Sequence, residues 1–113
     1  IDGIDAEVAT ARAAQAEWGA RRASERCEVL RRVADELVAR HDDLLLAMMH
    51  EASKTVAEAD PEIGEAVDFA RWYAERATEL ERIDGADFTP LGVVAVIPPW
   101  NFPVAIPAGG TLA

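Results

Sequence analysis

Pro90-Leu91-Gly92-Val93-Val94-Ala95-Val96-Ile97-Pro98-Pro99-Trp100-Asn101-Phe102-Pro103 is the one stretch of this chain that reads as a strand running into a loop. Val93 to Ile97 is a short, β-branched, almost unbroken apolar run, the pattern of a strand buried on both faces of a parallel sheet. Pro98 and Pro99 stop it, because they have no N–H to give to a ladder, and they hold the chain extended beyond the strand end. Two large aromatics and a carboxamide follow, Trp100, Phe102 and Asn101. In open α/β sheets ligands sit just outside the carboxyl ends of the strands, so a site is expected at this turn.

Upstream the composition is charged and alanine-rich, and the period becomes helical. Ile4 to Arg21 places Val8, Ala11, Ala14 and Trp18 near helical spacing, with Asp5 as N-cap and Gly19 as terminator. Ser24 is the expected cap of a second helix. Its apolar stripe is Leu30, Val33, Ala34, Leu37 and Val38, while Arg31, Arg32, Asp35, Glu36 and Arg40 face water. Asp42 and Asp43 open a third helix through Leu44, Leu45, Met48 and Met49 that fades at Ser53. Asp60-Pro61 predicts the start of a fourth, a capping carboxylate followed by proline at the first helical position. From there Ile63, Ala66, Val67, Ala70, Tyr73, Ala74, Ala77 and Leu80 recur for about five turns, ending before Gly85. The shift to apolar, Gly- and Pro-rich sequence near Asp87 predicts two units, a helical segment over 1–86 and a strand, loop and helix start over 87–113. The expected fold class is therefore α/β, with the sheet incomplete.

The 113 residues are half hydrophobic, enough for a small core, and carry a net charge of −10. That balance excludes the clustered Lys and Arg that neutralise nucleic-acid phosphates. The arginines alternate with glutamates along the helices, as on solvated faces. No run approaches the ~18 to 20 apolar residues of a membrane span, and no signal peptide is visible. One cysteine makes no internal disulfide, so a reducing, cytoplasmic setting is expected. The absence of an initiator methionine and the apolar Gly109-Gly110-Thr111-Leu112-Ala113 terminus read as an excerpt of a longer protein.

The Pro90 to Pro103 stretch, continuing through Val104 to Ala113, closely resembles the first nucleotide-domain strand and following loop of the aldehyde dehydrogenase superfamily. The resemblance implies an NAD-dependent oxidoreductase of Rossmann-like fold, with NADP as the alternative cofactor, acting on a small aldehyde and assembling as a homo-oligomer. Glu65-Ala66-Val67-Asp68-Phe69, followed by Arg71-Trp72-Tyr73-Ala74, resembles the branch that oxidises L-glutamate γ-semialdehyde to glutamate. That is the Δ1-pyrroline-5-carboxylate dehydrogenase part of bifunctional proline-catabolic enzymes of the proline utilisation A type. FAD is implied only if a proline dehydrogenase domain precedes this segment. A succinate-semialdehyde type of enzyme stays open, because the residues that grip the substrate carboxylate have no counterpart here.

By that resemblance Asn101 matches the asparagine whose amide holds the oxyanion of the thiohemiacetal, a donor worth on the order of 3 kcal/mol. From its local setting alone Asn101 reads rather as a turn asparagine bonding its own backbone, and only the surrounding motif reverses that. Ile97, Pro99 and Trp100 match positions lining the nicotinamide and its ribose, and ordinary packing at a strand end is the plain alternative. Phe102 matches an aromatic flanking the aldehyde chain, or packs in a core. Glu65 matches a glutamate reaching toward the active site, or is a solvent-facing helix residue. Glu51-Ala52-Ser53-Lys54-Thr55 also resembles a family signature but reads as a helix-end turn.

Cys27 lies early in an amphipathic helix without a base beside it, so burial rather than nucleophilic catalysis is expected. His41 and His50 lack partners at metal-ligand spacing, and no metal is expected. The family's cysteine nucleophile and general-base glutamate have no counterparts in these residues. The excerpt alone is therefore expected to be inactive. A different class of function, a helical interaction module with a Pro-rich recognition tail, is disfavoured by Pro98, Pro99, Pro103 and Pro107. They interrupt a strand-to-helix pattern rather than lining one face of an extended polyproline helix.

Overall fold

The computed structural model describes residues 3–113. Ile1 and Asp2, the first residues of the expected helical segment, lie outside the described residues. The described residues form five helices in order: α1 (Ile4–Ala20), α2 (Ala23–Ala39), α3 (His41–Ala52), α4 (Val56–Leu80) and α5 (Ala105–Leu112).

The spine is α4, 25 residues long. Ala59, Ile63, Ala66, Val67, Ala70 and Ala74 recur at three- and four-residue intervals and are all buried, one apolar stripe along the helix. The small alanines let neighbouring helices approach closely. Near its C-terminal end Ala74 packs with Cys27 and Leu30 of α2. In its middle Val67 and Ala70 meet Ala34, so α2 runs antiparallel to α4. Near its start Ala59 and Ile63 cluster with Met48 of α3. Leu112 of α5 rests against both α2–α4 clusters. A fully buried aliphatic such as Ile63, 2% exposed, contributes about 2 to 3 kcal/mol through its transfer from water.

The expected start of the fourth helix at Asp60-Pro61 is corrected to Val56. Thr55 begins it: the Glu58 carboxylate accepts the Thr55 N–H at 2.9 Å and its hydroxyl at 2.7 Å. This satisfies a donor that the helix start otherwise leaves free. Pro61 is therefore inside the helix, exposed, and removes only one bond near the first turn. Asp5 and Ser24 do not cap either; the cap positions belong to Gly3 and Arg22, and the Arg22 N–H donates to Glu25 Oε2 at 3.0 Å. Cys27 is fully buried, as expected, and its Sγ donates to the Ala74 carbonyl at 2.7 Å. No helix among the described residues is long and apolar enough to cross a membrane.

The expected strand at Val93 to Ile97 is the main correction. There is no strand among the described residues. Val94 is 60% and Ile97 90% exposed. A strand is held by its ladder, and this segment has no second strand to pair with. The stretch instead passes over α5, where Val96 approaches Gly110 so closely that a Cβ there would lie 2.6 Å from Val96 Cγ1. The α/β architecture is therefore absent from the described residues, which are helical.

Candidate functional site around Lys54, Glu62 and Asn101

The site is built where α3 turns into α4 and the Pro-rich loop enters α5. Ser53 ends α3 in the left-handed region, φ 54°, and the Lys54 N–H returns to the Met48 carbonyl at 3.3 Å, a helix-ending turn of the αL kind. That turn swings Lys54 back over α4, onto Glu62.

Glu62 is 3% exposed, a charged residue buried in the core. Its Oε1 accepts the Val104 N–H at 2.8 Å and the Ala105 N–H at 3.0 Å, and its Oε2 accepts from Lys54 Nζ. Val104 is the cap and Ala105 the first residue of α5. One carboxylate of α4 therefore satisfies two orphan donors at the start of α5, where negative charge is also favoured by the helix dipole. Burial pushes the Glu62 carboxyl up, but the bonds from Lys54, Val104 and Ala105 outweigh it and hold the group below its ordinary value. Both charges are withdrawn from water, with the Lys54 side chain 13% exposed, and each has its partner, as buried ions require.

Lys54 Nζ makes two further contacts. It donates to the Asn101 carbonyl oxygen at 3.1 Å and lies 4.9 Å from the centre of the Phe102 ring, within cation–π range. The Phe102 N–H bonds the Pro99 carbonyl at 3.3 Å. Pro99 to Phe102 is thus a turn tied to the helices through one ammonium. Trp100, Asn101 and Phe102 line a cleft of about 440 Å³ together with Ala52, Ser53, Lys54 and Glu58. The Asn101 carboxamide is exposed, and among the described residues it bonds nothing. It is not engaged in an Asx-type bond to its own backbone.

Of the residues singled out from sequence, Asn101, Trp100 and Phe102 come together on this turn. Ile97 and Pro99 are exposed on the approach to it, and Glu65 is exposed on α4 one turn beyond Glu62. None of these three walls the cleft. Lys54 and Glu62 were not anticipated. Two signals were present: Lys54 is the sole lysine of the chain, and Glu62 falls within the apolar stripe of α4, four residues before Ala66 and eight before Ala70. His41 is also engaged, between Asp42 at 3.0 Å and Asp60 at 2.8 Å. No group of three or more His, Cys, Asp or Glu arranged to hold a metal occurs among the described residues.

A proline-bounded aromatic–carboxamide turn, held by the helices before it, thus stands at the entry to α5. The aldehyde dehydrogenase family profile matches residues 2–113. The chain belongs to the aldehyde dehydrogenase family. Within the family, the chain is 38% identical over 120 residues to "1-pyrroline-5-carboxylate dehydrogenase 2" of Bacillus subtilis, covering 96% of the chain and 23% of that protein. It is 42% identical over 88 residues to "Bifunctional protein PutA" of Rhizobium meliloti, 78% of the chain and 7% of that protein. It is 36% identical over 116 residues to "Aspartate-semialdehyde dehydrogenase (Non-phosphorylating)" of Halomonas elongata, 94% of the chain and 24% of that protein. The chain thus spans at most about a quarter of the length of these relatives. No solved structure matches it.

Proposed function

We propose that this chain is part of an NAD-dependent aldehyde dehydrogenase that oxidises L-glutamate γ-semialdehyde, formed from Δ1-pyrroline-5-carboxylate, to glutamate in proline catabolism. Residues 1–86 are its N-terminal helical segment. Residues 87–113 are the first strand, loop and helix start of its Rossmann-like NAD-binding domain, with Val93 to Ile97 pairing as a strand once further strands lie beside it. NADP is the alternative cofactor, and FAD enters only with a proline dehydrogenase domain.

The observation that carries the reading is the free Asn101 carboxamide on a turn whose backbone is fixed from beneath by Lys54. A preorganised N–H donor of this kind stabilises an oxygen that becomes negative as the aldehyde is attacked, because it need not reorient when the charge develops. Ile97 and Trp100, 90% and 82% exposed, offer bare apolar surface beside Pro99, and Phe88 to Ala113 holds no charged side chain. This suits a nicotinamide ring and its ribose, which these three residues would orient, while the segment itself offers a pyrophosphate no cation. NAD, when bound, supplies the hydride acceptor. Phe102 flanks the aldehyde chain, and Glu65 assists in positioning substrate or water.

The choice of substrate is supported by the relatives named for 1-pyrroline-5-carboxylate. The relative named for aspartate semialdehyde favours a second reading, another short aldehyde that also carries a carboxylate. NADH formation by the full-length protein, with glutamate γ-semialdehyde and succinate semialdehyde side by side, decides between them. In the same assay Asn101→Ala lowers kcat by roughly 100-fold or more while NAD binding is retained. If Asn101→Ala leaves kcat unchanged the oxyanion role is wrong, and if no aldehyde is turned over the helical interaction module becomes the better reading.

A further inference from the structure

Lys54 and Glu62 sit outside every role assigned above, yet among the described residues they form the one polar link between the helical scaffold and the Asn101 turn. Glu62 comes from the buried stripe of α4 and bonds the two backbone N–H groups that open α5. Lys54 comes from the αL turn after α3 and bonds Glu62, the Asn101 carbonyl and the face of Phe102. The loop between Pro98 and Pro103 is thereby gripped at residue 101 itself and, just beyond the loop, at residues 104 and 105. Residues 93–101 upstream are mostly exposed, with Val96 against Gly110 of α5 as an apolar contact on that side.

We infer that Lys54 and Glu62 are positioning residues for Asn101: the ion pair locks the backbone carbonyl of Asn101 and the start of α5, and so aims the Asn101 carboxamide. The chemistry explains the residue types. A lysine ammonium directs its N–H donors from one point, here to a carboxylate, a carbonyl and an aromatic face. Neutral replacements leave the partner charge buried and unpaired. A carboxamide displaced by about 1 Å costs on the order of 100-fold in rate. The inference rests on the oxyanion role proposed for Asn101, but the locking of the loop does not.

The test is a double-mutant cycle in the full-length enzyme, with amide hydrogen exchange alongside. Lys54→Met lowers kcat roughly 10- to 100-fold, with the KM for NAD little changed, yet lowers kcat by less than about twofold when introduced into Asn101→Ala, because two residues acting through one carboxamide are not additive. Equal losses in both backgrounds overturn the inference. Should Lys54→Met fail to fold, Lys54→Arg keeps the charge while altering the geometry; a partial loss confined to the Asn101 background supports the inference, and equal losses again overturn it. Exchange needs no substrate: Glu62→Gln and the Lys54 variant speed exchange of the Phe102, Val104 and Ala105 amides, and unchanged exchange overturns the locking itself. If Asn101→Ala leaves turnover intact, the oxyanion role falls while the exchange comparison still decides whether the pair holds the loop.

Discussion

His41 shows how charge acts residue by residue in this molecule. Its two ring nitrogens face Asp42 and Asp60, and a protonated ring donates to both. The bonds to Asp42 and then Asp60 raise its pKa above the ordinary 6.5. A raised folded pKa means that the folded state holds the proton more tightly. The stability gained is fully present below 6.5 and is lost as pH rises through the folded value. Glu62 has the opposite sign: held below 4.5, it contributes above that value and fails as pH falls through its folded value. The expected outcome for His41→Gln is a lowered melting temperature at about pH 5.5 and little change at about pH 9. Thermal melts at both pH values check it, and a deficit equal at the two would show that His41 contributes by packing instead.

At the scale of the element, the same substitution has opposite effects in two helices. Gly64 lies inside α4 with nothing within 4 Å of an added Cβ, so Gly64→Ala gains helix propensity and stabilises by about 0.5 to 1 kcal/mol. Gly109 lies inside α5, where an added Cβ would sit 3.0 Å from Phe69 Cδ2. That ring is itself stacked on Tyr73 at 6.1 Å, which limits its retreat. Gly109→Ala is expected to destabilise by about 1 to 3 kcal/mol despite the better propensity. Denaturant unfolding of both variants measures the two signs, and stabilisation by both would mean that Phe69 moves aside freely. The helical period of α4 was legible because it is written in residues three and four apart. Its start was not, because Asp60-Pro61 and Thr55-Glu58 are competing signals, and the carboxylate that bonds Thr55 twice prevails over a proline that forfeits one hydrogen bond.

Taken whole, the chain is more open than its size requires. The radius of gyration is 16.0 Å, against about 13 Å for a compact domain of this length. It exposes 8255 Å², where about 6,100 Å² is expected for a globular monomer of 12.2 kDa. The excess lies on α1, which has no buried residue, and on Leu91 to Trp100, where Leu91 is 93% exposed. Such surface is what a protein of the relatives' length would cover. The sole thiol, Cys27, is fully buried and bonded to Ala74, so it is no nucleophile. The 113 residues expressed alone are therefore expected to produce no NADH from any aldehyde. A measurable rate from the purified chain would contradict this.

The sequence by itself determined the helices, the Pro-Trp-Asn-Phe-Pro turn and the burial of Cys27, because these depend on periodicity, on the missing N–H of proline and on an apolar face. Only the tertiary structure decided that Lys54 and Glu62 hold the loop, since Glu62 meets Val104 across 42 residues and Lys54 meets Asn101 across 47. No local pattern encodes such a distance. It also decided against a strand at Val93 to Ile97: apolar β-branched residues favour extended backbone, but a strand exists only where another supplies its ladder.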